Sequence, residues 1–148
     1  MSSILLSRDL PLPPRPIGNY VATRVVKDQL FVSGQLPIYN GELLYRGKLG
    51  TELSVEQGKL AAELSAMNLI SQISSHVGLD RFESIIRLDG FINTSDDFTQ
   101  HADVLNGASD TLAKVFSGSP LPIRTVIGCN SLPMGAAVEL SIMVQLKY

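Results

Sequence analysis

From Val138 to Leu146 every second side chain is aliphatic, and the residues between are polar apart from Met143. Val138, Leu140, Ile142, Val144 and Leu146 share one face of a strand, and Glu139, Ser141, Met143, Gln145 and Lys147 share the other. A strand of this kind needs a core on one side only, so the chain must build a sheet that is covered on one face. Just upstream, Arg124–Cys129 reads as another strand. Between the two lies Asn130–Gly135, a segment of Asn, Ser, Pro and Gly, which reverse a chain. The expected arrangement is a β-hairpin of Arg124–Cys129 with Ala136–Lys147, which sets Arg124 near Glu139 and Leu140. Two readings of that pair follow. It is a cross-strand ion pair of small energetic value, or it is a planar cation for a ligand carboxylate beside a carboxylate that moves protons.

The remaining segments supply the cover. Ser3–Leu6 fits a short edge strand, and Pro11, Pro13, Pro14 and Pro16 force an extended connector. Tyr20–Val26 and Leu30–Gln35 form a hairpin around Lys27-Asp28-Gln29, with Phe31, Ser33 and Gln35 on one face. Gly34 marks either a bulge or tight packing spot, or a point where a ligand or backbone approaches closely. Pro37–Gly50 is a loop with a short strand at Glu42–Tyr45. Ser54 and Gln57 make a capping box for a helix carrying an apolar stripe of Ala62, Ala66, Leu69, Ile70, Ile73 and Val77, closed by Gly78. Leu60, Leu64 and Met67 widen that helix's apolar surface. Ser84–Thr94 is a strand with Ile86, Leu88 and Ile92 inward. A second helix runs from about Asp96 to Phe116, capped by Ser95 or Asp96, with core positions Phe98, Ala102, Leu105, Leu112 and Phe116. Asn106-Gly107 interrupts it, and a mid-helix glycine costs about 1 kcal/mol relative to alanine, so packing or function must account for it. The order β-β-α-β-α-β-β gives an α+β sandwich, two helices on one sheet face, as a single domain spanning residues 1–148. The other sheet face, with Phe31, Phe91 and Met143 among short polar groups, suits burial in an oligomer.

Composition excludes several functions. Twelve basic and 14 acidic residues give a net charge of −2 with no basic stripe, so nucleic-acid binding is not expected. Cys129 is the single cysteine, which excludes an internal disulfide and a Cys-rich zinc site. It reads as a small buried thiol. His76 and His101 fall in predicted helices outside any metal-spacing motif. No apolar run approaches a membrane span or a signal-peptide core, and a cytoplasmic protein without membrane association is expected.

Several short motifs, taken in order, resemble the RidA/YjgF family of reactive-intermediate (enamine and imine) deaminases. They are Ile17-Gly18-Asn19-Tyr20, Phe31-Val32-Ser33-Gly34-Gln35-Leu36-Pro37, Ala61-Ala62, Asn68, Asn106-Gly107-Ala108-Ser109, Pro122-Ile123-Arg124-Thr125-Val126, Leu132-Pro133 and Val138-Glu139. The resemblance implies a chorismate-mutase-like fold assembled as a homotrimer around a barrel of sheets, with sites in the clefts between subunits. It implies Arg124 as the binder of a substrate carboxylate and Glu139 as the residue that positions or activates water. Tyr20, Ser33, Gly34 and Asn106 match other substrate-binding positions, and no metal or organic cofactor is expected. The chain departs from the family pattern at Asn19, often Pro, and at Val126, often Cys or Ser in deaminating members. It also has Gly107-Ala108-Ser109-Asp110 where aromatic residues often follow the asparagine. Two functions are therefore carried forward. One is hydrolysis of small 2-imino or enamino acids to 2-oxo acids and ammonia. The other is a non-enzymatic trimer that binds small carboxylates or another protein. Ribonuclease activity, ascribed to some members, finds little support in the charge balance.

Overall fold

The expected capping box nucleates the longest element. In the computed structural model, which describes residues 10–148, Ser54 Oγ accepts from the Gln57 N–H and Gln57 Oε1 accepts from the Ser54 N–H. Helix α1 then runs Val55–His76 and ends where Gly78, at φ 90°, turns the chain and donates to the Ile73 carbonyl. Its stripe of Ala62, Ala66, Leu69, Ile70 and Ile73 is completely covered. Val77, Leu64 and Met67 are only half-buried, and Leu60 is left 49 % exposed. The second helix, α2, spans His101–Val115. It starts five residues later than expected, because the Ser95 N–H is drawn to the Leu49 carbonyl and the Ser95 hydroxyl to Asp97. Val104, Leu105, Ala108 and Leu112 are its buried face, whereas Ala102 is exposed.

Both helices cover one face of a five-stranded sheet built from β1 (Thr23–Val26), β2 (Gln29–Gln35), β5 (Phe82–Asn93), β6 (Ile123–Cys129) and β7 (Val138–Leu146). A small hairpin, β3 (Ile38–Tyr39) with β4 (Glu42–Leu43), turns on Asn40-Gly41, both with positive φ. The strand order is β1-β2-β7-β5-β6. The β1–β2 hairpin forms as expected, with Val26 opposite Gln29. The predicted Ser3–Leu6 strand lies outside the described residues.

The C-terminal hairpin does not form. Strand β5 lies between β6 and β7, parallel to the first and antiparallel to the second. Arg124 therefore pairs with Leu88, and Glu139 with Phe91. Burial explains the choice. Every second residue of β7 from Val138 to Leu146 is buried, which demands neighbours on both edges, whereas β6 is exposed along most of its length and suits the sheet edge. The 130–137 segment crosses over β5 through a short 3₁₀ turn at Pro133–Gly135, with Met134 at φ 59°.

Two of the three register shifts in the sheet alter the expected faces. A register shift between Ile85 and Arg87 puts Ile85 in the core and leaves Ile86 half-buried. In β2, Ser33 and Gly34 together face the single residue Ser141, because Val32 pairs with Ile142 and Gln35 with Leu140. This bulge turns Gln35 away from the face of Phe31 and buries it under α1.

Gly107 has a packing reason. A Cβ there would stand 2.2 Å from the Lys59 carbonyl oxygen of α1, so the two helices cross in backbone contact. Among the described residues no helix is long and apolar enough to cross a membrane.

Candidate functional site

The structure divides the predicted site residues into two groups on opposite sides of the sheet. Arg124 projects from edge strand β6 on the helix-covered face, the face of its ladder partners Leu88 and Ile142. Its Nη1 donates to Asn106 Oδ1 at 2.8 Å and Ser109 Oγ at 2.9 Å, and its Nη2 to the Ala102 carbonyl at 3.4 Å. Ala102, Asn106 and Ser109 lie three and four residues apart, hence on one face of α2. A guanidinium has five N–H donors. Three go to α2, which fixes the plane of the group, and two remain for a ligand. Asn106 thus acts through Arg124. Ser109 and the Ala102 carbonyl are partners that the sequence reading missed, although their helical spacing from Asn106 was the available signal.

Glu139 lies on the other face, in the row of Phe91 and Ile127. It is half-buried, and desolvation raises its pKa above the usual carboxylate value of 4.5. Gly34 makes room for it, since a Cβ on Gly34 would stand 2.3 Å from Glu139 Oε2 and 2.8 Å from Cδ. Of the two readings of Gly34 the structure bears out the first, a bulge and tight packing spot, and what packs there is the Glu139 side chain rather than a ligand or another backbone. Ser33 is used structurally, its N–H and Oγ both donating to the Ala22 carbonyl. Tyr20 Oη accepts from the Ile17 N–H at 3.3 Å, and the ring lines a small recess with Ser33, Gly34 and Gln35.

A buried amide chain holds this second group in place. Gln35 Nε2 donates to the Ser33 carbonyl, while Gln72 Nε2 donates to Gln35 Oε1 and to the Pro14 carbonyl. Ser71 Oγ donates to the Pro11 carbonyl, so the proline-rich connector lies strapped along α1. The peptide bonds of the described residues are trans, so drawing the Ser33 carbonyl toward Gln35 points the Gly34 N–H the opposite way.

Arg124 and Glu139 are two strands and three ladder rows apart, roughly 14 Å between Cα atoms at standard sheet spacings. The expected cross-strand pair is absent. The ion pairs among the described residues are Lys59–Glu56 and Arg87–Asp89, and Arg124 and Glu139 enter neither. Val126 shares the Arg124 face, half-buried and without a hydrogen-bonding group. Cys129 is half-buried, His76 Nδ1 lies 3.0 Å from the Gln72 carbonyl, and no group of His, Cys, Asp or Glu able to hold a metal occurs among the described residues.

Gly34→Ala tests the close approach. The carboxyl is the free end of a flexible chain, so it swings aside and the fold survives. The melting temperature is expected to stay within a few degrees of the parent, with the Glu139 carboxyl displaced from its position over Gly34. A large loss of stability would show that the carboxyl cannot move aside.

Comparison with known proteins places this geometry. Residues 3–146 match the family described as "YjgF/chorismate mutase-like, putative endoribonuclease". A Trypanosoma cruzi protein, TCP17, is 39 % identical over 140 residues, covering 93 % of this chain and 88 % of its own length. The 2-iminobutanoate/2-iminopropanoate deaminase of Dermatophagoides farinae is 26 % identical over 137 residues, with 93 % of each chain covered. Among solved structures, a Shewanella oneidensis protein described as "a putative endoribonuclease" superposes with a TM-score of 0.93 at 30 % identity, over 99 % of this chain and all of the other. Agrobacterium tumefaciens Atu1372, of unknown function, gives 0.85 at 32 % identity over 90 % and 86 %. The mixed five-stranded sheet backed by two helices, the arginine locked to its helix and the glutamate over a glycine bulge all lie within the matched residues, and the chain belongs to the YjgF/chorismate mutase-like family.

Proposed function

We propose that this protein hydrolyses 2-imino and enamino acids to 2-oxo acids and ammonia, at a cleft formed between copies of the chain. The observation that carries the reading is the division of the site. Arg124 with two donors to spare and Glu139, without a cationic partner among the described residues, stand on opposite faces of one sheet. A second copy is what brings one of each together. The mixed outer face, where Phe31, Met143 and Phe91 stand half-buried beside Ser141 and Glu139, supports such an assembly. A homotrimer with the sheets forming a central barrel satisfies it by a closed heterologous contact.

In this cleft Arg124 takes the substrate carboxylate bidentately, and the Gly34 N–H of the partner subunit adds a donor. Glu139 of the partner subunit removes a proton from water as the oxygen bonds to the imine carbon. The C=N electron pair moves to nitrogen, which takes up a proton. When the C–N bond breaks, the remaining hydroxyl proton leaves and nitrogen takes its second. Both water protons end on ammonia, with Glu139 as carrier. Burial that excludes water strengthens the arginine–carboxylate contact and keeps the base poised.

The raised pKa of Glu139 fixes a pH signature. The base must be ionised, so kcat/KM rises with pH through a midpoint above the ordinary carboxylate range, and Glu139→Gln removes this limb. Stability runs the other way. A carboxyl whose folded pKa is raised contributes fully below its unfolded pKa, and the contribution is lost as pH rises through the folded one. Glu139→Gln is therefore expected to melt no lower than the parent at neutral pH. A rate profile flat through the acid range would overturn the assignment.

The test of function is turnover of freshly generated imines from several amino acids, followed as 2-oxo acid and ammonia, with the oligomer mass measured by light scattering. The second reading, a trimer that only binds small carboxylates, is favoured by Val126, which puts no polar group beside Arg124. Turnover no faster than buffer, with Arg124-dependent carboxylate binding, decides for that reading.

A further inference from the structure

A cavity of about 600 Å³ opens at Arg124, between the C-terminal half of α2, strand β5 and the loop leading into β6. Its walls are mostly apolar: Phe82, Leu112, Ala113, Phe116, Leu121 and Pro122. Phe82 and Phe116 stack with their centroids 3.7 Å apart, giving one wall a flat aromatic surface. At the Arg124 end Asn106 and Ser109 already hold the guanidinium, while Ser117 and Ser119 line the loop side, Ser119 Oγ donating to the Glu83 carbonyl. Asp110 also lines the space, one helical turn beyond Asn106.

This is the composition of a ligand pocket, with apolar walls and a few convergent polar groups in a volume of about 300–1,000 Å³. It is also far too large for the smallest imino acids. At about 30 Å³ per water, it has room for on the order of twenty water molecules, whereas a three-carbon imino acid has six heavy atoms. We infer that the natural ligand is a monocarboxylate with an extended apolar or aromatic side chain, its carboxylate on Arg124 and its side chain in this cavity. Asp110 supplies the other half of the selectivity, since a second anionic group would meet it. The inference rests on Arg124 as the carboxylate anchor, and does not require that the ligand be hydrolysed.

The experiment compares pyruvate with phenylpyruvate, two stable 2-oxo acids that differ only by a phenyl group, by calorimetric titration of the full-length protein. Each buried methylene contributes roughly a fourfold gain in affinity, so phenylpyruvate should bind at least about tenfold more tightly. Ala113 is exposed at the cavity wall, so Ala113→Trp fits the fold and fills the space. It should bring the ratio of the two dissociation constants close to one. Imines of phenylalanine and of alanine should show the same ordering in kcat/KM. Equal affinity for the two acids overturns the inference. So does a preference that survives Ala113→Trp, or phenylpyruvate binding that survives Arg124→Ala. A change in oligomer mass on Ala113→Trp without loss of the preference would assign the cavity to a subunit contact and also overturn it. Tight phenylpyruvate binding with no imine turnover would leave the inference standing and remove the hydrolase.

Discussion

Arg124→Ala is expected to lose carboxylate binding and imine hydrolysis together, by about 10²-fold or more, because hydrogen bonds to a charged group each contribute about 1.5–3 kcal/mol. Arg124→Lys should recover little. An ammonium is a single point of charge, and it cannot donate to Asn106, Ser109 and Ala102 while presenting two parallel donors to a ligand. Glu139→Gln should behave differently. It keeps the shape beside Gly34 and the affinity for carboxylates, but turnover drops about 10²- to 10⁴-fold. A structural ion pair would have predicted matched stability losses in both variants with ligand binding untouched, and the sheet order already separates the two residues. The sharper expectation concerns mixtures. Each variant spoils a different half of the proposed cleft. Co-expressed Arg124→Ala and Glu139→Gln chains should therefore regain about a quarter of parental activity in randomly assembled closed rings. Mixed oligomers as inactive as either parent variant would show that both residues act within one chain or that neither acts.

Gly107→Ala is expected to destabilise the protein by about 1–3 kcal/mol, the usual cost of overpacking. Helix propensity argues the opposite, since alanine in place of mid-helix glycine favours a helix by about 1 kcal/mol. Space decides the sign. The added methyl would stand 2.2 Å from the Lys59 carbonyl oxygen and 2.9 Å from its carbonyl carbon and Cα, all backbone atoms of α1 that no rotamer change can move. The helices must separate, and Asn106, the neighbouring residue, moves away from Arg124 with them. Thermal or urea unfolding with carboxylate titration on the same sample checks both effects. A raised melting temperature would mean the helix crossing yields easily and Gly107 is not required by packing.

Much of this was legible in local pattern. The alternation of β7, the capping box and stripe of α1, the glycine that ends it and the β1–β2 hairpin each depend on residues within a few positions of one another, where periodicity and turn chemistry act directly. The motifs also singled out Arg124, Glu139, Gly34 and Asn106. The failures share one cause. Whether β6 pairs with β7 or reaches across β5 depends on which strand has two buried flanks, and that is settled by the whole sheet. A bulge at Gly34 was one of the readings open in the sequence, but its turning Gln35 inward to meet Gln72, like the late start of α2, depends on tertiary hydrogen bonds. The sequence by itself determined which residues have site chemistry and which faces are apolar, because side-chain chemistry and strand or helix period are local properties. Only the tertiary structure decided that Arg124 and Glu139 face away from each other, since the insertion of β5 between their strands is a property of the assembled sheet.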